Sequence, residues 1–423
     1  MLPQLSPDLK IGIIGLGYVG LPLALAFSEK YNVFGYDSDI DRINSLLLGI
    51  DKTLQTSEDE LIKSNLVISA DPEELRACTI YIITVPTPID QNKKPDLSPL
   101  LSASEVVGKL LKDGDIVIYE STVYPGCTEE DCVPVLERVS KLTYNLNFFC
   151  AYSPERVSPG DPVHTLKSII KVTSGSTPET ADFVDSLYAS IIRAGTHKAS
   201  SIKIAEASKA IENAQRDVNI SFVNELALMF DKMDIDTTEV LSAAATKWNF
   251  LNFKPGLVGG HCIGVDPYYL AYKAELLGYH PRVILSGRNV NDQMASFVVN
   301  KCIKLMVQKN IQINGSGALL MGITFKENCP DIRNSKVIEI VNELRQFGID
   351  VDVYDPLAER EQVAGQYDIS LITDIHERKY QLIILAVAHD EFLDIDFGKM
   401  KYPDTILFDT RAVLKREWVD GRL

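Results

Sequence analysis

In the stretch GLVGGHCIGVDPYYL, residues 256–270, Cys262 stands behind two glycines and a histidine and four residues ahead of Asp266. A deprotonated thiol is a strong nucleophile toward a carbonyl carbon, and a neighbouring carboxylate can hold and activate a water. The same cysteine in a tight glycine turn can equally be a small apolar residue. A second set of reactive types recurs at helical spacing: Glu206, Lys209, Asn213 and Arg216 follow one another at intervals of three and four and so share one helix face. Such a face is either a solvated ion-pair stripe or a buried ammonium with an amide one turn away, which can stabilise an oxyanion. Asn213 is a poor choice for an exposed helix interior, and Ile204, Ala205, Ala207, Ala210 and Ile211 make the surroundings mostly apolar, which favours burial. The apolar runs IYIITV (80–85), DIVIYE (115–120) and FFCAY (148–152) each end in a polar or proline-bearing loop, PTP, STVYPG and SPERVSPG. Thr87, Thr122 and Glu155 in those loops are candidates for chemistry, although each is also an ordinary turn or cap residue. Lys326, Arg333 and Arg411, in the last third of the chain, are either diphosphate-holding cations or surface charges.

These residues need elements to position them. From Lys10, KIGIIGLGYVGLPLALAFSEK reads as a strand, a glycine turn and a helix; Gly15, Gly17 and Gly20 match GxGxxG, and Asp37 ends the strand NVFGYD 22 residues after Gly15. The first glycine makes the turn, the second lets backbone approach a pyrophosphate, the third lets helix pack on strand, and the helix N-terminus faces the phosphates. Asp37 accepts hydrogen bonds from a ribose and repels a 2′-phosphate, so NAD is favoured over NADP. In an open parallel sheet ligands sit outside the carboxyl ends of strands, where Thr87, Thr122 and Glu155 fall. From about residue 199 to 232 the chain has neither Gly nor Pro and reads as one helix of roughly 50 Å, long enough to span domains and offer a dimer surface. A largely helical segment follows to about residue 308. After NGSG (314–317) a second α/β unit begins, with ALLMGITF, IDVDVYDP, YQLIILAVAH and TILFDTR as strands and SKVIEIVNELRQFG as an amphipathic helix, now without GxGxxG. The fold class predicted is α/β: two Rossmann-like doubly wound domains, at 1–198 and 309–423, joined by a long central helix and a helical middle domain at 199–308.

Composition narrows the partners. The chain has 423 residues, 46% of them apolar and 24% charged, which describes ordinary globular domains. A net charge of -16 argues against nucleic acid and against an anionic membrane surface. No run approaches about 18 apolar residues, and MLPQLSPDLK lacks the build of a secretory signal, so a cytoplasmic protein without membrane insertion is expected. Seven cysteines without CxxC pairs describe neither a disulfide framework nor a zinc site, and no metal is expected.

Taken in order, IGIIGLGYVGLP, TVPTP, YESTVYPGCT, SPERVSPG, SKAIEN, GLVGGHCIGVDPYYL and GITFKENCPDIRNS resemble the UDP-glucose/GDP-mannose dehydrogenase family, specifically its bacterial UDP-N-acetylhexosamine 6-dehydrogenase branch, over nearly the whole length. The resemblance implies oxidation of a sugar C6 alcohol to a carboxylate with two NAD, for surface polysaccharide synthesis. An aldehyde has no hydride in a suitable tetrahedral form until a nucleophile adds to it. By family similarity Cys262 is that nucleophile, carrying the sugar as thiohemiacetal and then thioester. Lys209 and Asn213 are then the oxyanion stabilisers, Asp266 with Thr122 holds the water, and Glu155 is the base for hydrolysis. The same resemblance assigns cofactor contacts to Gly15, Leu16, Gly17, Tyr18, Val19, Gly20, Asp37, Arg42, Thr87, Thr122 and Arg333. It assigns substrate contacts to Glu155, Arg156, Val157, Lys209, Asn213, Phe253, Lys254, Gly259, Phe325, Lys326 and Arg411. UDP-GlcNAc is the leading sugar, with UDP-glucose and UDP-ManNAc as alternatives and a homodimer through the central helix as the assembly. His261 departs from the small residue that UDP-glucose members often carry before the cysteine, and its role is open. Three rivals fare worse. A single-step β-hydroxyacid dehydrogenase needs neither the cysteine nor a second nucleotide domain. An epimerase would place YxxxK inside the dinucleotide domain, whereas Tyr269 and Lys273 lie far beyond it. A non-catalytic NAD sensor would not keep every site residue.

Overall fold

A computed structural model describes every residue except 1, 91, 158–162, 261, 262 and 377. Cys262 and His261 therefore lie outside the described residues. Contacts divide the chain into two compact units, 1–212 with 268–279 and 213–267 with 280–423.

The first unit is built on six parallel strands, β1 (Lys10–Ile14), β2 (Asn32–Tyr36), β3 (Val67–Ser69), β4 (Ile80–Ile83), β5 (Ile116–Tyr119) and β6 (Phe149–Tyr152), in the order β3-β2-β1-β4-β5-β6. β4 and β5 are buried throughout, as central parallel strands covered on both faces must be. The order reverses between β1 and β4, which opens the crevice where a doubly wound sheet binds its ligand. Helix α1 (Gly20–Ser28) follows the glycine turn; α2 (Pro178–Ala189) lies next to a two-stranded parallel pair, β7 (Lys171–Thr173) and β8 (Thr196–Lys198).

The long helix α3 runs Ile202–Met233, one unbroken element of 32 residues as its lack of Gly and Pro predicts. Helices α4 (Asp266–Leu276) and α5 (Arg282–Gln308) follow. The second unit then lays down β9 (Gly317–Met321), helix α6 (Val337–Gln346), β10 (Asp350–Tyr354), β11 (Leu382–Leu385), β12 (Ile406–Asp409) and the short β13 (Gly421–Arg422). Its sheet is again all parallel, β10-β9-β11-β12-β13, with the order reversing between β9 and β11. The core gathers Leu320, Ile340, Val341, Leu344, Ile384 and Phe408, so α6 buries its apolar stripe on this sheet. The predicted α/β class with two Rossmann-like sheets is what the chain adopts. Among the described residues no helix is long and apolar enough to cross a membrane.

One expectation fails. Ile204 and Ile211 do not line the Lys209 face; they are 52% and 56% exposed, on another side of α3. The buried apolar residues of this stretch are Ala205, Ala210 and Ala214.

Candidate active site

The glycine turn has the geometry its sequence predicts. Gly15 sits at φ +94°, accessible to glycine at no steric cost, and its N–H donates to Tyr36 O at 2.8 Å. A Cβ on Gly20 would meet Gly15 O at 1.8 Å, which only glycine avoids. A Cβ on Gly17 would meet no atom within 4 Å, so this part of the turn is open for a ligand to approach its backbone. Thr84, which the sequence did not mark, pins the turn by donating from Oγ1 to Ile14 O at 3.0 Å and Gly15 O at 2.7 Å. Asp37 at the end of β2 accepts Leu16 N–H at 2.8 Å and Asp39 N–H at 2.9 Å, which fixes its carboxylate at the mouth of the crevice. Arg42 donates from Nε to Leu16 O at 2.9 Å and pairs with the buried Asp51 at 2.8 Å, bracing the same turn. Open backbone at Gly17, a helix N-terminus and a fixed acid after β2 fit an adenosine diphosphate. Tyr18 and Val19 open onto a cleft of about 730 Å³ that also touches Pro22, Glu155 and Val157.

At the ends of β4, β5 and β6 the loops meet. Thr87 Oγ1 donates to Thr122 O at 2.7 Å. Tyr269 OH donates to Thr87 O at 2.9 Å and Pro88 O at 3.2 Å, and Lys273 pairs with Glu130, so the YxxxK residues brace loops. Glu155 Oε1 accepts the N–H groups of Arg156 at 2.7 Å and Val157 at 2.6 Å. Burial pushes the Glu155 carboxyl up, but the Lys171 ammonium, those two N–H groups and Lys209 outweigh it and hold the group below the usual carboxylate range. Arg156 is spoken for by Glu212 at 2.8 Å and Ile170 O at 2.8 Å. Two buried residues here escaped the sequence: Glu120, one residue past β5, and Lys171, the first of β7, form an ion pair of 2.7 Å. On α3, Glu206 and Lys209 are buried whereas Arg216 is exposed, so only part of the predicted face is drawn inward. Glu206 accepts Gly126 N–H at 2.5 Å and Thr128 N–H at 2.9 Å, closing the YPGCT loop rather than facing a ligand.

The loop that carries the cysteine is described up to Gly260 and again from Ile263. Asp266, the first residue of α4, is buried and accepts Asn213 Nδ2 at 2.5 Å. Upstream, each glycine presses on the second sheet's loops. A Cβ on Gly256 would strike the Arg411 guanidinium at 2.6 Å, one on Gly259 would strike Asn334 O at 2.6 Å, and one on Gly260, at φ +85°, would strike the Phe325 ring at 2.7 Å. Asn224, fully buried on α3, clamps the start of this loop: it accepts Gly256 N–H at 2.8 Å and donates to Gly256 O at 3.0 Å and Asn291 Oδ1 at 2.8 Å. Asn291 in turn donates to Asp217, whose carboxylate meets Arg288 at 2.6 Å. Phe253 is half-buried and Lys254 exposed at the loop's outer end.

The second sheet repeats the geometry of the first. Gly322 after β9 has φ +88° and donates to Tyr354 O at 2.8 Å, as Gly15 does to Tyr36. Asp355 after β10 accepts Ile323 N–H at 2.7 Å, as Asp37 accepts Leu16. Here, however, the acid is buried, with Nε2 of the buried His389 at 3.2 Å, and is closed to a ribose. His389 Nδ1 also accepts Asn328 N–H at 2.9 Å, so His389 and Asp355 hold the loop that carries Phe325 and Lys326. Gly259, Phe325, Lys326 and Arg411 line one groove at the carboxyl ends of β9 and β12, beside the reversal of strand order. Arg333 pairs with Asp331 at 2.6 Å.

Residues 9–192, 203–293 and 319–416 match, in that order, the NAD binding, central and UDP binding domains of the UDP-glucose/GDP-mannose dehydrogenase family. The chain belongs to that family. The sheet β1–β6 therefore lies in the NAD-binding domain and the strands β9–β12 in the UDP-binding one. Among curated relatives, UDP-N-acetyl-D-glucosamine 6-dehydrogenase of Pseudomonas aeruginosa is 55% identical over 98% of this chain and 100% of its own. The Salmonella typhi protein of the same name is 51% identical over 98% and 99%, and Protein CapL of Staphylococcus aureus 49% over 96% and 97%. The solved UDP-D-ManNAc dehydrogenase of Pyrococcus horikoshii superimposes with a TM-score of 0.90 at 28% identity, covering 98% of each chain.

Proposed function

We propose that this chain oxidises the C6 alcohol of a UDP-N-acetylhexosamine, UDP-N-acetylglucosamine foremost, to the carboxylate in two steps at one site, for synthesis of a surface polysaccharide. The observation that carries the reading is the seating of the cysteine loop: the glycines ahead of Cys262 lie against Arg411, Asn334 and Phe325, and Asp266 beyond it is bonded to Asn213.

NAD supplies the hydride acceptor for both oxidations. The Gly15 to Gly20 turn with Leu16, Tyr18, Val19, Asp37, Arg42, Thr87, Thr122 and Arg333 holds it. Phe325, Lys326 and Arg411 hold the uridine diphosphate, with Phe253, Lys254 and Gly259 along the sugar, and Arg156 and Val157 are further substrate contacts. In the first oxidation the C6 hydroxyl proton passes to the water held by Asp266 and Thr122, and Lys209 and Asn213 stabilise the alkoxide until its hydride leaves and the aldehyde forms. Cys262 thiolate then adds to the C6 aldehyde; a C–S bond forms, and the carbonyl oxygen becomes an alkoxide on the same two side chains. Once that adduct is oxidised, Asp266 with Thr122 orients a water and Glu155 takes its proton as the oxygen adds to the thioester. The C–S bond breaks and the thiolate returns.

The chain works as a cytoplasmic homodimer of three-domain subunits, 1–198, 199–308 and 309–423. Support for the dimer comes from α3, where Ile204, Ile211, Phe222, Met229 and Met233 are all exposed and return to nearly one angular position, a stripe that water disfavours.

Counting NADH against sugar consumed tests the reaction. Two NADH per UDP-N-acetylglucosamine with a uronic acid product is expected, while one NADH with an aldehyde product overturns it. Cys262→Ser should bind both ligands and lose turnover by at least a hundredfold. Ranking kcat/KM for UDP-GlcNAc, UDP-GalNAc, UDP-ManNAc and UDP-Glc decides the sugar.

A further inference from the structure

Glu120, Lys171 and Tyr188 are fully buried in the first unit and take no part in the steps above. Lys171 Nζ donates to Glu120 Oε2 at 2.7 Å, Tyr188 OH on α2 donates to Oε1 of the same carboxylate, and Lys171 Nζ lies 3.4 Å from Glu155 Oε2. Burying an ammonium is costly, and Glu120 alone would neutralise it. The second carboxylate beside the same cation therefore calls for a reason. Glu155 Oε1 is already committed to two backbone N–H groups, which fixes the rotation of its carboxylate. Oε2, facing Lys171 across a longer gap, is the oxygen with capacity to take a proton from water.

We propose that Lys171 is the positioning residue of thioester hydrolysis: it keeps Glu155 ionised and fixes the direction of its Oε2, while Glu120 and Tyr188 hold Lys171 in place. The inference rests on Glu155 being the hydrolytic base. The charged and titratable groups facing Glu155 are Lys171 on β7, Glu120 after β5, Tyr188 on α2 and Lys209 on α3. Removing Lys171 takes away the largest favourable charge, so the base becomes harder to ionise. Removing the Glu120 charge leaves Lys171 with one carboxylate and makes Glu155 easier to ionise. The two changes thus act in opposite directions, which a merely structural role would not do.

The test follows kcat against pH for the NAD-loaded enzyme fed the 6-aldehyde of the UDP-sugar, so that only the second half of the reaction is read. In Lys171→Met the acid limb should move up by about one pH unit, a roughly tenfold loss of turnover below the wild-type midpoint that shrinks as pH rises. Lys171→Arg should restore most of it, and Glu120→Gln should move the limb down. Equal losses at every pH, or limbs that do not move, overturn the inference. Glu155→Gln separates the two readings: a variant that keeps the wild-type limb removes the base and the inference together, whereas a lost limb there with Lys171→Met unmoved removes the inference alone. Should Lys171→Met not fold, Glu120→Gln decides by itself, and an unmoved limb in it is fatal.

Discussion

Glu206 shows how one residue can look reactive in sequence and be structural in the fold. Burial pushes its carboxyl up to about 7, against the N–H groups of Gly126 and Thr128 that favour the anion. A group whose folded pKa is raised binds more protons folded than unfolded, so its contribution is fully present below about 4.5 and is lost as pH rises through 7. The size is on the order of 3 kcal/mol. Glu206→Gln removes the titration, so its stability relative to the parent should increase from pH 5 to 8 when denaturant midpoints are compared; a constant difference would contradict the shift. The glycines of the turn were legible because φ +94° at Gly15 and the 1.8 Å approach at Gly20 leave no other residue a place. Lys171 and Glu120 were not, since 51 residues separate them and nothing local marks either as buried. The cysteine itself stood out only through its neighbours.

Between residues and whole chain stand the elements that aim the site, and α3 does most of this. Asn224 makes two hydrogen bonds to Gly256 and one to Asn291 from a fully buried position, tying the helix to the loop that leads to Cys262. Asn224→Ala leaves Gly256 N–H and O unpaired, a loss of about 1–3 kcal/mol for each buried group left without a partner. The expected outcome is a KM for UDP-sugar raised tenfold or more and a lower Tm, with Kd for NAD unchanged; an equal loss of both affinities would mean that the whole fold had slackened. At this scale the sequence was generous with strands and the long helix, because apolar runs and missing breakers are local signals. It misled about which α3 side is buried: Ile204 and Ile211 look like core residues, yet they are exposed and the buried positions are Ala205, Ala210 and Ala214. Asn224 reads like any polar helix residue until its loop partner, 32 positions away, is in place.

For the whole molecule the question is what covers the apolar stripe of α3. A second chain laid along it would bring together two bodies that each carry a net charge of -16, so association has to overcome long-range repulsion with apolar contact. Salt screens the first and leaves the second, and a dimer held this way should tighten as ionic strength rises from 10 to 150 mM, where the screening length falls from about 30 to 8 Å. Ile211 and Phe222 are each 56% exposed and support no core, so Ile211→Glu/Phe222→Glu should cost the subunit little stability while placing charges in the contact. Sedimentation equilibrium should then report twice 47.0 kDa for the parent and 47.0 kDa for the double variant, with unchanged circular dichroism. A parent that sediments as a single chain at every salt concentration, or a double variant that stays dimeric, would mean that the stripe is not the contact.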